Sequence, residues 1–331
     1  MIATLVIATI LSATSTADDT GPTTEGVRAA ISKALPPIVK SVEEYPKHRD
    51  CFSCHHQAVP VFALTTARAR GFDVKPETIA AAVEHTEADL RTELDAYKKG
   101  TGQPGGVTRA GYALFTLEAG GKSPDEVTSA VAFFLRQRNA SGDRWRTSSS
   151  RPPSEASDFT STYLALRALA VYGQNEPKVE VAQRVEKARR WLEATSPKDT
   201  EDRVFRLLAL RQSSASHATI RAAADALLAT QRNDGGWSQL NGGTSDAYAT
   251  GSALVALHNA GKLATDDPRY RRGLRFLIAD QHPDGTWLVH SRSKPFQPYF
   301  ESGFPYGKDQ FISMSASSWS LAALALAYPK P

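Results

Sequence analysis

Two kinds of hydrophobic pattern alternate along this chain. In the first, apolar residues fall on one stripe of a 3.6-residue helix and charged residues lie opposite. This spacing predicts amphipathic, outward-facing helices over about 25–44, 76–98, 124–138, 179–195, 216–231 and 267–281. In the second, as in SDFTSTYLALRAL (157–169) and SDAYATGSALVAL (245–257), residues are small or apolar on nearly every side. Helices of that composition are buried, and they are predicted over about 56–71, 107–119, 158–173, 201–212, 246–261 and 314–328. Ser157 and Ser245 suit N-caps, and Gly120, Gly173 and Gly261 suit C-terminal stops. Outer and inner helices in strict alternation give six helical hairpins. The last one, containing SWSLAALALAY, is too apolar to cap an open solenoid, so the six are expected to close into a double-walled ring. The predicted fold class is therefore all-α, an (α/α)6 toroid, with one domain over 18–331.

The chain is also self-similar. RAAADALLATQRNDGGW (221–237) aligns without a gap on RRGLRFLIADQHPDGTW (271–287), and VTSAVAFFLRQRNASGDRW (127–145) is a looser copy with two extra residues in its turn. Each copy runs from a helix into Gln, then a glycine turn, then Trp. This unit resembles the QW repeats of squalene-hopene cyclases and related terpenoid cyclases, and the alternating helices resemble the toroid shared with protein prenyltransferase β-subunits. The resemblance implies that Gln231 with Trp237, Gln281 with Trp287 and, more loosely, Gln137 with Trp145 tie outer helices together. Such residues carry fold without carrying activity.

Neither chemistry of that family is expected here. Bacterial squalene cyclases protonate an alkene with an Asp-x-Asp-Asp cluster, and only Asp158 and Asp246, at predicted helix N-termini, come near that pattern. Capping accounts for both. Prenyltransferases hold zinc with Asp, Cys and His late in the chain, whereas no cysteine follows Cys54. The reading is of a cyclase-like scaffold that is not a functional squalene cyclase.

The candidate chemistry lies in DCFSCHHQAVP (50–60), which holds both cysteines, Cys51 and Cys54, with His55 and His56 behind them. Cys-x-x-Cys-His is the spacing of c-type haem attachment: the thiols form thioethers and the following His ligates iron. A thioredoxin-type dithiol would need a βαβ unit, which a helical chain lacks. Three readings stay open. Covalent haem c on Cys51, Cys54 and His55 leads; the others are a small-loop disulfide, and zinc on the two cysteines with two histidines, where His55 sits awkwardly close to Cys54. The pairing of this motif with cyclase-like repeats, and the long loop KPFQPYFESGFPYGKDQFIS (294–313), resemble exported proteins of planctomycete and acidobacterial type. For haem iron, Met314 and His290 are the candidate distal ligands, because the last inner helix neighbours the first in a closed ring; core filling is the competing role of Met314. His85 and His56 are poorly placed. The loop, within a lid-like segment over 288–313, carries Phe296, Tyr299, Phe300, Phe304 and Tyr306 and is expected to fold over the ring mouth, against haem or the helix ends.

Composition adds the compartment. Ile2 to Leu11 is an apolar run too short to span a bilayer, and Ser15-Thr16-Ala17 follows it as a small-x-small cleavage site. A signal peptide over 1–17 and a periplasmic or secreted protein are predicted. The net charge of +4 is spread among interleaved acidic and basic residues, so no stripe for nucleic acid exists. Two cysteines make no disulfide scaffold, and stability must come from a buried core. The functional expectation is an exported c-type haem protein with a redox or electron-transfer role and a redox partner protein. The alternative is a toroid holding an isoprenoid or glycan as an apolar ligand, with the cysteines as a disulfide or zinc site.

Overall fold

The computed structural model describes residues 21–138, 141–295 and 298–331; the expected signal segment and Phe296 lie outside them. The outer layer comprises α1 (Thr24–Glu44), α3 (Pro76–Arg91) with its continuation α4 (Leu94–Lys98), α6 (Glu126–Gln137), α8 (Lys178–Ala194), α10 (His217–Leu228) and α12 (Pro268–Asp280). The inner layer comprises α2 (Val59–Arg68), α5 (Gly106–Ala119), α7 (Asp158–Tyr172), α9 (Thr200–Gln212), α11 (Ala247–Asn259) and α13 (Gln310–Ala327). The inner helices touch in the order α2, α5, α7, α9, α11, α13 and then α2 again. The ring is closed, as the apolar last helix required. Among the described residues, no helix is long and apolar enough to cross a membrane.

Local departures from the predicted boundaries have local causes. The second outer helix breaks at Thr92 and Glu93, where the Thr92 hydroxyl turns back to the Asp89 carbonyl and the Gln103 amide donates to that same carbonyl. The N-cap of α11 is Asp246, which accepts from the Ala249 N–H at 3.0 Å; Ser245 instead donates to Asp234. Ser157 caps α7 as expected. The helix α13 begins at Gln310, so Met314 lies inside it.

The glycine turns are held in a repeated way. Trp145, Trp237 and Trp287 are fully buried, and each indole N–H donates to a carbonyl ten residues earlier, on Leu135, Leu227 and Leu277 at 2.7, 3.0 and 2.7 Å. Their backbone N–H groups donate to hydroxyls of the following inner helix, Thr162, Thr250 and Ser317. Each turn thus pins an outer helix to an inner one, around a side chain that buries on the order of 200 Å². Gln231 and Gln281 supply the lateral tie. The Gln231 amide donates to the Arg269 carbonyl at the start of α12, and the Gln281 amide donates to the Ala30 carbonyl in α1. The joint that links α10 to α12 is therefore repeated between α12 and α1, and it shuts the ring. In the looser copy Arg184 of α8 serves, donating to the Arg138 and Gly142 carbonyls while its guanidinium covers the Trp145 ring.

Candidate functional site

The cysteine–histidine stretch enters α2 through a π turn, Cys54–Ala58. Pro60 has no N–H for the carbonyl four residues back, and the turn before it widens so that the Val59 N–H reaches Cys54. Ser53 caps the turn by accepting from the His56 N–H, while the Gln57 side chain accepts from the Ser53 N–H at 2.7 Å. This geometry turns two consecutive side chains the same way, and Cys54 Sγ lies 3.2 Å from His55 Nδ1.

The loop before α7 closes on that pair. The Cys54 thiol donates to Glu155 Oε1 at 3.0 Å, and the same oxygen lies 4.0 Å from His55 Nδ1. On the far side of the imidazole, Nε2 meets Ser154 Oγ at 3.2 Å, and Arg151 pairs with the other Glu155 oxygen. Cys54 and Glu155 are buried and His55 nearly so. Burial, and then the Glu155 charge, push the Cys54 thiol up, and burial pulls His55 down. Glu155 is 101 residues from Cys54 in sequence, and nothing in its polar loop announced it.

The other predicted ligands are placed differently. Cys51 is exposed, its sulfur 3.7 Å from the Tyr45 hydroxyl, and the two cysteines are unbonded. His56 is fully buried, stacked on Tyr45 at 4.7 Å, and its Nε2 has no hydrogen-bond partner among the described residues. From α13 it is Phe311 that reaches the histidines, its ring centroid 6.1 Å from His55 and 5.3 Å from His56. Met314 lies one turn further along, fully buried in the core. His290 is 81% exposed and bonds Asp309 at 2.8 Å. In the long loop, Phe300 packs on Tyr45 and Phe311, Phe304 is buried, and Tyr299 is exposed. A porphyrin does not fit this face as folded. Glu155 occupies the Cys54 sulfur and Ser154 occupies the His55 nitrogen that would meet iron.

A second buried group lies in the same interior. Tyr112 of α5 donates to the Ser154 carbonyl, and burial pushes its hydroxyl well above the usual phenol range. Glu201, in the first turn of α9, receives hydrogen bonds from Thr160 at 2.8 Å and Tyr248 at 3.1 Å. Burial, helped by the neighbouring Asp199 charge, raises its pKa to about 8 against those two bonds. Asp199 caps α9, and Asp202 accepts from Ser157, the cap of α7. Asp199-Thr-Glu201-Asp202 is thus a carboxyl cluster whose inner acid is pushed up to about 8. The Asp-x-Asp-Asp pattern itself remains absent, but this related cluster escaped the sequence reading. The signal was present as Asp-Thr-Glu-Asp, one methylene away from the pattern sought. Aromatic rings extend from this end along neighbouring inner helices, with Trp319 against Phe62, Phe62 against Phe115, and Tyr163 against Phe205.

Comparison with known proteins gives a consistent picture. Residues 199–325 match the squalene-hopene cyclase C-terminal domain, a match that starts at the first carboxyl of the cluster. A squalene–hopene cyclase of Bradyrhizobium diazoefficiens is 33% identical over 121 residues, covering 31% of this chain and only 16% of that enzyme. Among solved structures, the type II terpene cyclase MstE from Scytonema superposes with a TM-score of 0.53 at 15% identity, over 93% of this chain and 99% of its own. A variant of it in complex with geranylgeranyl dihydroxybenzoate, its substrate, gives 0.54 at 13%, over 92% and 98%. A possible GH105 member from Klebsiella pneumoniae gives 0.51 at 13%, over 93% of each chain. At these identities the structures establish the toroid fold, and the fold is terpene cyclase-like.

Proposed function

We propose that this toroid binds an isoprenoid chain in its interior and protonates a terminal alkene from Glu201. The observation that carries the reading is the buried carboxyl of Glu201 within Asp199-Thr-Glu201-Asp202, held by the Thr160 and Tyr248 hydroxyls and pushed up to about 8. An alkene is a weak base, and only an acid kept protonated in a dry site and positioned against the double bond can protonate it. The proton passes from the Glu201 carboxyl to one alkene carbon, leaving a carbocation on the other. The carboxylate that remains keeps the Thr160 and Tyr248 hydroxyl bonds, and aromatic rings of the inner helices can offer the cation negative π clouds. The terpene cyclase likeness supports this substrate class.

Incubation of the purified chain in D2O with squalene and with geranylgeranyl-bearing phenols is the test. A cyclised or hydrated product carrying one added deuterium is expected, and Glu201→Gln should lose it by 10²-fold or more. No product and no retained isoprenoid from either substrate would end the reading. The haem reading rests on the Cys-x-x-Cys-His spacing and requires Arg151–Glu155 to withdraw from the site. A pyridine haemochrome band with the mass of covalent haem, after co-expression with a cytochrome c maturation system, would replace the acid site with a redox one in an exported protein.

A further inference from the structure

The π turn and the loop before α7 bring together a thiol, an imidazole and a carboxylate that the acid chemistry does not use. Cys54 Sγ, His55 Nδ1 and Glu155 Oε1 all lie within 4.8 Å of one another. We propose that they form a zinc site with one coordination position left for an exogenous ligand. It stands independently of the isoprenoid reading.

Three observations carry it. The first is metric. The edges of the donor triangle are 3.0, 3.2 and 4.0 Å. A point about 2.0 Å from all three atoms lies at its centre, and zinc bonds to oxygen, nitrogen and sulfur run about 2.0–2.3 Å, so the ion sits slightly out of that plane. The second is orientation. His55 Nε2 meets Ser154 Oγ, which holds the ring with Nδ1 turned toward Cys54 and Glu155. Arg151 holds the outer Glu155 oxygen, leaving Oε1 for the metal. Ser154 is itself held, its carbonyl accepting from Tyr112. The third is donor chemistry. A sulfur, a nitrogen and an oxygen donor together select a borderline ion over Mg²⁺ or Ca²⁺. Three protein ligands are the number found in zinc sites that keep a water or substrate position.

This set differs from the zinc arrangement read from the sequence, which used both cysteines and two histidines. Cys51 is exposed and turned to Tyr45, and His56 is stacked away from the triangle on Tyr45. The objection that His55 follows Cys54 too closely is met by the π turn, which sets the two donor atoms 3.2 Å apart. The requirement for Cys54 but not Cys51 also separates this site from covalent haem, whose two thioethers consume both.

The test is metal content and cobalt spectroscopy on the full chain. Dialysis against micromolar zinc, then against buffer, should leave about one zinc per folded chain. Cobalt(II) in its place should give a sulfur-to-cobalt charge-transfer band in the near ultraviolet and intense visible bands of four-coordination. Cys51→Ser should keep the metal and both spectra. Cys54→Ser should lose the charge-transfer band, and Glu155→Gln, which changes a direct ligand, should weaken binding by at least the roughly 10–100-fold of an outer-shell loss. Should Cys54→Ser fail to fold, Ser154→Ala serves in its place: it leaves all three ligands and should still weaken binding roughly 10–100-fold by freeing the imidazole. A folded wild-type chain without stoichiometric zinc, or equal loss of metal in Cys51→Ser, would overturn the site. Because metal is read directly, failure here is separate from failure of isoprenoid turnover.

Discussion

At Glu201 two hydroxyl bonds favour the carboxylate and burial opposes it, and burial prevails up to about pH 8. An unfolded chain ionises this group near 4.5, so between 4.5 and about 8 the folded state holds a proton that the unfolded state has lost. Stability is fully present below that window and falls as pH rises through it, by up to about 1.4 kcal/mol per unit from this residue. Glu201→Gln should remove that slope and be the more stable protein at pH 8; urea unfolding at pH 5 and pH 8 measures it. An unchanged slope would mean that Glu201 is ionised in the folded chain. The reactive residues were only half legible in the sequence. Cys54 and His55 announce themselves by spacing, which depends on neighbours in the chain. Glu201 is distinguished by hydroxyls 41 and 47 residues away, and Cys54 gains its carboxylate partner from 101 residues away. No local pattern encodes such encounters.

The elements themselves were far more legible, because helix periodicity is a local property and the inner helices other than α9 are small or apolar on nearly every side. Departures came where a side chain competes with the backbone, at Thr92, or where a proline withholds a donor, at Pro60. The glycine turns offer the sharpest test of the joints. Gly285 has φ +88°, and a Cβ there would stand 2.0 Å from the Lys33 carbonyl in α1; Gly235 makes the matching approach to Arg272 in α12. Gly285→Ala should combine left-handed strain of about 1–2 kcal/mol with a backbone clash, for a loss above about 2 kcal/mol. Gly121, at φ +81° with nothing within 4 Å of its Cβ position, isolates the strain alone. Gly121→Ala should cost only about 1–2 kcal/mol. Equal losses in denaturant unfolding would show that the turn does not press on α1.

For the whole molecule, closure means that no hairpin is terminal. Open helical arrays fray at their end repeats, which contact one neighbour instead of two. Here α2 and α13 each have inner neighbours on both sides. Native-state hydrogen exchange should therefore protect the central amides of α13 as strongly as those of α7. Early exchange confined to α2 and α13 would indicate an open superhelix in solution. The joint that shuts the ring also carries a cost in time. Ala30 must wait for Gln281, and Ser41 for Ser302, separations of 251 and 261 residues. At ribosomal rates of about 5–20 residues per second, that is a delay of roughly 12–50 s. Through it, the apolar flank of α1 that will face α12 and α13 is uncovered, while α2 and α3 already lie against the helix. α1, made well before α12, is thus among the last of the helices to be completed.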